Sequence, residues 1–388
     1  MNVFDFEKKC SGCAACVDSC ELDAIVITQD RDGFYIPKLN TEKCVNCGKC
    51  VKVCPALDDK IPETQREFFY GWNNNETVRA SSSSGGIFSV FAEKVLSEGG
   101  VVFGAVYSDD FKSVVITSTD TVSLSKMRTS KYVQSNAEGA YREMKKALES
   151  GRKVLFCGSP CQIAGARKIF GIKYENLVLI DFLCGGFPSP RFYSEYIEWL
   201  ESKKHSKVTS VNFRDKRNGW SNAGIEVTFE KGKEYFSNYL YDPYYYYFYG
   251  THYTRNSSCM GCRFRDSRYA DITIADFWGF REMKLPNDDK GMSLIITYNQ
   301  KGKSFFDSIK DEMTVFEISK ENGSYGFESN EKTNEELKER EDFLETVRRY
   351  GFIKTAQKNY YKFGKVGIIS RKIIKRIKRL FVKQDSDE

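Results

Sequence analysis

Histidine is nearly absent: the 388 residues hold only His205 and His252. A mechanism or metal site built on several imidazoles is therefore excluded. No run of about 18 apolar residues occurs, so no membrane-spanning helix is expected. The first ten residues, MNVFDFEKKC, lack the apolar core of a signal peptide, and a cytoplasmic location is expected. The body of the chain also lacks a strong charge. The net charge of +6 is carried by the last stretch, where residues 352 to 388 hold eleven lysines and arginines against three acidic residues. That weakens the case for a nucleic-acid-binding body. Hydrophobic residues at 41% and charged residues at 29% suit an ordinary folded core and exclude collagen-like, coiled-coil and disordered chains.

What the chain does have is cysteine, thirteen in all. In a reducing compartment, thiols in such number point to metal or redox chemistry rather than to disulfides. Eight fall before residue 55 in two equal runs, Cys10, Cys13, Cys16, Cys20 and Cys44, Cys47, Cys50, Cys54, offset by 34 positions. Three cysteines at three-residue intervals wrap one cubane, and the fourth serves the other cluster in two-cluster ferredoxins. One [4Fe-4S] cluster is thus assigned to Cys10, Cys13, Cys16 and Cys54, and a second to Cys44, Cys47, Cys50 and Cys20. Zinc knuckles are the alternative, but their paired hooks usually lack a third cysteine at the same interval. Residues 24–28 and 33–37 suit short strands beside the cluster loops. The polar stretch 58–67 reads as a linker.

Beyond it, apolar strands at 101–107, 154–157 and 177–184 alternate with helical patterns at 87–96, 137–150 and 162–170. This alternation predicts a sheet covered by helices. The chain after Ser206 is more β-like, up to about Tyr298. A charged helix is expected at 331–350 and a basic amphipathic one at 365–383. The expected architecture is an α+β ferredoxin-type domain over residues 1–57, a larger α/β body over 68–350, and a basic tail over 351–388. The tail is a candidate for peripheral contact with anionic membrane or for docking on a partner.

Five cysteines remain. Cys161 lies in a strand-to-helix turn, Cys184 ends a strand before Gly185 and Gly186, and Cys259 with Cys262 forms a Cys-x-x-Cys hook. Strand C-terminal ends are where open α/β sheets place ligands. Spacing alone leaves two readings open, a third [4Fe-4S] cluster or buried cysteines acting as small hydrophobes. Cys157, inside an apolar strand, is expected to be a core residue. Ser81 to Ser84 with Gly85 and Gly86, ahead of a helix, form either an anion cradle or an ordinary N-cap. Lys131, Tyr132, Gln134 and Ser135 offer groups useful to a flavin, or a surface loop. Arg214 and Asp276 are candidates for substrate or flavin contacts, or for a buried salt bridge. The segment Tyr239 to Tyr253 holds eight tyrosines and reads as a packed loop or an aromatic pocket. His252 lies near the Cys259 hook.

Taken together, the two cysteine runs, "SSSSGGIFS", "SKYVQS", "GSPCQIAG", "DFLCGGFPSP", "FRDKRNGW", "SCMGC" and "DITIADFWG" resemble the coenzyme F-420 hydrogenase/dehydrogenase beta-subunit family, in its form with an N-terminal two-cluster ferredoxin domain. The resemblance implies a flavoprotein oxidoreductase. FAD would sit at Ser83, Ser84, Gly85, Gly86, Lys131, Tyr132, Gln134 and Ser135. Cys161, Cys184, Cys259 and Cys262 would hold a third cluster. Electrons from a ferredoxin-like donor or partner redox subunit would pass to FAD and on to a small substrate. Coenzyme F-420 itself and polysaccharide biosynthesis are the contexts known in the family. Two positions depart from it: relatives often carry histidine where this chain has Gly185, and Cys157 stands where cysteine is unusual.

Overall fold

A computed structural model describes residues 10–58, 65–119, 123–265, 267–323 and 334–362. The expected basic helix at 365–383 lies outside the described residues. Among the described residues thirteen strands run in chain order: β1 Ile25–Gln29, β2 Tyr35–Leu39, β3 Glu67–Asn73, β4 Val101–Tyr107, β5 Val114–Thr119, β6 Val154–Cys157, β7 Leu177–Phe182, β8 Val208–Asp215, β9 Gly224–Phe229, β10 Glu234–Asn238, β11 Ile272–Asp276, β12 Ser293–Thr297 and β13 Met313–Ile318. β1 and β2 make an antiparallel hairpin between the two cysteine runs. Eight strands form one mixed sheet in the order β13-β3-β12-β11-β7-β6-β4-β5, and β8 to β10 form a separate antiparallel sheet.

The middle of the large sheet is parallel, β4 to β6 to β7 to β11. Strands buried on both faces read as unbroken apolar runs, as β6 and β7 do. Alternate residues point to opposite faces. Phe103, Phe156 and Leu179 join a core with helices Ala140–Glu149 and Pro160–Phe170. Val102, Leu155 and Ile180 face helices Ile87–Ser97 and Gln300–Asp307 instead. Helix Pro160–Phe170 starts on a full capping box, Ser159 with Gln162, and carries Pro160 in its first turn.

The packed body extends past Tyr350. Helix Phe352–Lys362 buries Phe352 and Ala356 against helix Pro190–Lys204 and the tyrosine segment. The boundary expected at 351 therefore falls inside the packed part, because an aromatic side chain there fills a core. The tyrosine segment is not an open loop. Tyr244, Tyr245, Tyr247 and Phe248 are buried in a short helix that continues as a π-turn, Tyr246–Gly250.

The ferredoxin-type unit shares the core of the body: Ala14, Cys16, Val17, Ile25 and Phe34 join the cluster that holds Met144 and Ile163. Gly165 permits this close approach. A Cβ there would lie 3.0 Å from the Ala15 Cβ and 3.4 Å from the Cys13 Sγ. Gly165→Val should destabilise the chain by about 1–3 kcal/mol through overpacking. Urea unfolding of the variant is the check, and an unchanged midpoint would refute the close contact.

Candidate metal centre

The sequence repeat is also a conformational one. Helix Ala15–Asp18 follows Ala14 at φ 64°, and helix Lys49–Lys52 follows Gly48 at φ 73°, both left-handed. The Gly12 N–H donates to the Cys10 Sγ at 3.4 Å, and the Asn46 N–H donates to the Cys44 Sγ at 3.4 Å. Gly186 makes the same two-residue contact with the Cys184 Sγ, also at 3.4 Å. Backbone N–H groups aimed at sulfur are a recognised means of tuning iron–sulfur clusters.

The thiols fall into groups whose charges act on one another. Burial raises the Cys13 pKa most, and Cys16, Cys161 and Cys54 add to the rise. Cys16 is raised by burial and then by Cys10, Cys54 and Cys50. Cys10, Cys13, Cys16 and Cys54 are therefore neighbours. Cys50 is raised by burial and by Cys44 and Cys47, while Cys47 and Cys20 both act on the Lys49 ammonium. That gathers the second set. In the body, burial pushes Cys184 up to about 12, with help from Cys161 and Cys262. Burial pushes Cys262 up to about 11 with help from Cys161. Cys259 is raised by burial, then by Cys184, Cys262 and Cys161. The four cysteines from three separate loops are thus brought together. Such thiols keep their protons at neutral pH until a metal displaces them. No three His, Cys, Asp or Glu side chains among the described residues stand close enough to share a single metal ion. The thiols act on one another from farther apart, and an all-thiol donor set suits an iron–sulfur core.

The two N-terminal sets are placed differently. Val45 is 68% exposed, and Cys47 faces solvent. The first run is instead gripped by the body. The Tyr141 hydroxyl donates to the Cys13 carbonyl at 2.8 Å. The Arg142 guanidinium donates to the carbonyls of Val17, Asp18 and Cys20. The Asp18 carboxylate accepts from the N–H groups of Gly139 and Tyr141 at the start of helix Ala140–Glu149. Its pKa is raised by burial, against the pull of those bonds.

Gln134 belongs to this grip. It is buried, its Nε2 donates to the carbonyls of Ser11 and Tyr35, and its Oε1 accepts from the Tyr35 N–H at 2.7 Å. Its amide is committed to holding the ferredoxin-type unit. Ser135 accepts from Gln162 at 3.0 Å and so supports the Cys161 turn.

The other expected cofactor residues gather at the C-terminal edge of the parallel strands. Ser83 accepts from the Ser130 N–H at 2.7 Å, which ties the serine–glycine loop to the loop bearing Lys131 and Tyr132. Ser84 donates to the Met292 carbonyl, and Gly85 donates to the Ser293 hydroxyl. These two groups are occupied inside the protein. Gly86, at φ 81°, opens helix Ile87–Ser97 without a side-chain cap. Burial pulls Lys131 down to about 7, and its Nζ donates to the carbonyls of Arg128 and Thr129. The Lys131 ammonium lies 5.4 Å from the Tyr107 ring. Cys157 is half-buried at the end of β6, packed on the core beside this edge rather than within it.

Arg214 and Asp276 form a salt bridge at 2.7 Å, and Trp220 Nε1 donates to the same carboxylate at 3.1 Å. The salt-bridge alternative is the one realised. Sequence reasoning missed Lys216 and Arg79. The Lys216 Nζ donates to the carbonyls of Arg79, Ser84 and Lys290, and burial lowers it to about 7. Arg79, 2% exposed, clamps Asp288 and the Gly291 carbonyl. The signal for Lys216 was its place in "FRDKRNGW". His252, at φ 67°, lines a small cavity with Thr251, Tyr253, Met260, Glu336, Leu337 and Arg340.

These thiol sets on this scaffold define an iron–sulfur protein of an oxidoreductase class. Residues 9–57 match a family model described as 4Fe-4S dicluster domain, and a second model of the same description matches 36–87. Residues 151–322 match, and belong to, the family described as the C terminus of the coenzyme F420 hydrogenase/dehydrogenase beta subunit. The coenzyme F420-dependent sulfite reductase of Methanocaldococcus jannaschii is 26% identical over 333 residues, 80% of this chain and 48% of that protein. The chain thus spans about half of that relative. One component of the Na(+)-translocating ferredoxin:NAD(+) oxidoreductase complex of Acetobacterium woodii is 44% identical over 57 residues, 14% of this chain and 16% of that protein. A solved chain of the F420-reducing [NiFe] hydrogenase complex from Methanosarcina barkeri aligns with a TM-score of 0.45 and 17% identity, over 79% of this chain and 96% of that one. Among the described residues, no helix is long and apolar enough to cross a membrane.

Proposed function

We propose that the chain is an electron-transfer oxidoreductase in which twelve cysteines hold three [4Fe-4S] clusters and the C-terminal sheet edge holds a flavin. The observation that carries the reading is the meeting of thiols across the two units, where the charge of Cys161 acts on Cys13. Clusters supply single electrons and a flavin pairs them, so the combination serves two-electron chemistry on a small substrate.

The chain's own residues have definite tasks in this scheme. Cys44, Cys47, Cys50 and Cys20 hold the outer set, where the exposed Val45 loop offers a redox partner its approach. Cys10, Cys13, Cys16 and Cys54 hold the inner set, which Tyr141, Arg142 and Gln134 fix against the body. Cys161, Cys184, Cys259 and Cys262 hold the set in the body. The uncapped N-terminus at Gly86 suits a flavin diphosphate, because its free N–H groups favour an anion. Lys131 would supply a cation or a proton beside the ring. The bonds that already engage Ser84 and Gly85 confine the flavin contacts to the Gly86 end and to Lys131 and Tyr132. A glycan-linked substrate belongs to the same proposal, and neighbouring sugar-transferase genes would speak for it.

The name of the sulfite reductase relative favours a second reading, in which reduced coenzyme F420 delivers the electrons. Anaerobic protein should carry about twelve iron atoms, from three four-iron clusters, and a bound flavin. A count near eight overturns the set in the body, and absence of yellow chromophore overturns the flavin. Bleaching of that flavin by reduced F420 selects the second reading, and dithionite-only bleaching selects the first.

A further inference from the structure

Arg255 is 4% exposed and lies beside the body's cysteines. Its Nε donates to the Phe248 carbonyl at 3.2 Å, and its guanidinium stands 5.2 Å from the Phe248 ring. Among the described residues no carboxylate pairs with it. The charges of Cys259 and Cys184 act on it most among the side chains around it. Two glycines make room for this. A Cβ at Gly185 would lie 3.7 Å from its Nη2, and one at Gly186 would lie 3.0 Å from its Cδ and 3.1 Å from the Cys259 Cβ.

A buried cation without a partner is unfavourable. The thiols cannot neutralise it while protonated, and burial holds Cys184 and Cys262 up at about 12 and about 11. The other cations nearby do not relieve it. Arg268 is engaged with Asp181 at 3.1 Å. The Arg340 Nη2 donates to the Arg255 carbonyl at 2.6 Å, and Arg265 adds further positive charge beside Cys262. The site is therefore short of negative charge in its thiol form. An anionic metal–thiolate core would supply it.

We propose that Arg255 is the charge-compensating residue of the body's cluster, a positioned cation that raises the reduction potential there. The proposal rests on reading Cys161, Cys184, Cys259 and Cys262 as ligands. Reduction adds one negative charge to the core, so a fixed cation beside it favours the reduced form.

The test is a dithionite titration of the full-length anaerobic protein, followed by electron paramagnetic resonance. Arg255→Met should shift the reduction equilibrium of one cluster about tenfold toward the oxidised form, about 59 mV for one electron, leaving the other two unmoved. Arg255→Lys should restore most of the difference. A Met variant with full iron and an unmoved potential overturns the proposal. Should Arg255→Met lose iron, Gly185→Asp places a carboxylate against the guanidinium without touching it, and Gly185→Ala is its control. A downward shift with Asp but not Ala supports the role, and equal potentials overturn it. The ligand reading fails separately: Cys184→Ser protein with unchanged iron and unchanged spectra would remove it, whatever Arg255 does.

Discussion

Cys161→Ala protein should leave anaerobic purification with about eight iron atoms instead of about twelve, and with the N-terminal pair of clusters intact. Cys161 sits in the first turn of helix Pro160–Phe170, and its charge acts on Cys184, Cys259 and Cys262 in the body and on Cys13 in the ferredoxin-type unit. Removing it takes away the thiol common to the body's group. The other eight cysteines depend on their own loops and on helices of four residues each. Iron assay together with the reduced-state resonance spectrum is the measurement. A variant that loses all its iron would show that the two units do not hold their clusters independently, and one that keeps twelve would remove Cys161 from the ligand set.

The second large effect is structural. Asp271→Ala should lower unfolding free energy by about 3–5 kcal/mol, the usual penalty for breaking one side of a buried ion pair. The Asp271 side chain is 1% exposed and faces Arg167 at 2.7 Å. It also accepts from the Leu179 N–H at 2.9 Å and from Asn299 at 2.9 Å, with Lys301 at 3.4 Å. One carboxylate thereby joins helix Pro160–Phe170, strand β7 and the start of helix Gln300–Asp307. Cys161 and Cys184 ride on the first two of these elements. The urea midpoint should fall at unchanged m-value, and Arg167→Ala should add little in the double variant, because the two share one interaction. A loss below about 1 kcal/mol would show that the pair is not the joint its geometry describes.

Much of this was legible from sequence. Buried parallel strands are continuous apolar runs, so β4 and β6 were bounded correctly, and β7 ran only two residues short of its expected end. Cysteine spacing grouped the ligands because cubane loops leave little freedom. Helix Pro190–Lys204 was passed over, although Ser189, Pro190 and the buried series Phe192, Tyr193, Tyr196, Ile197 and Leu200 carry a cap and a helical period. Its tyrosines obscured the period. Gln134 could not be read, since its role depends on Tyr35, 99 residues away. Arg255 was equally invisible, because a lack of partners exists only in three dimensions.

The grip on the first cysteine loop has one more implication. Tyr141, Arg142 and Gln134 touch carbonyls and N–H groups of that loop rather than its side chains. They sense the outline of a strap moulded around inorganic sulfide, whatever residues decorate it. Evolution can therefore repaint the strap freely, but oxygen damage that dissolves the mineral should also loosen the latch, so that corrosion of one cofactor uncouples the wiring between two halves of the molecule.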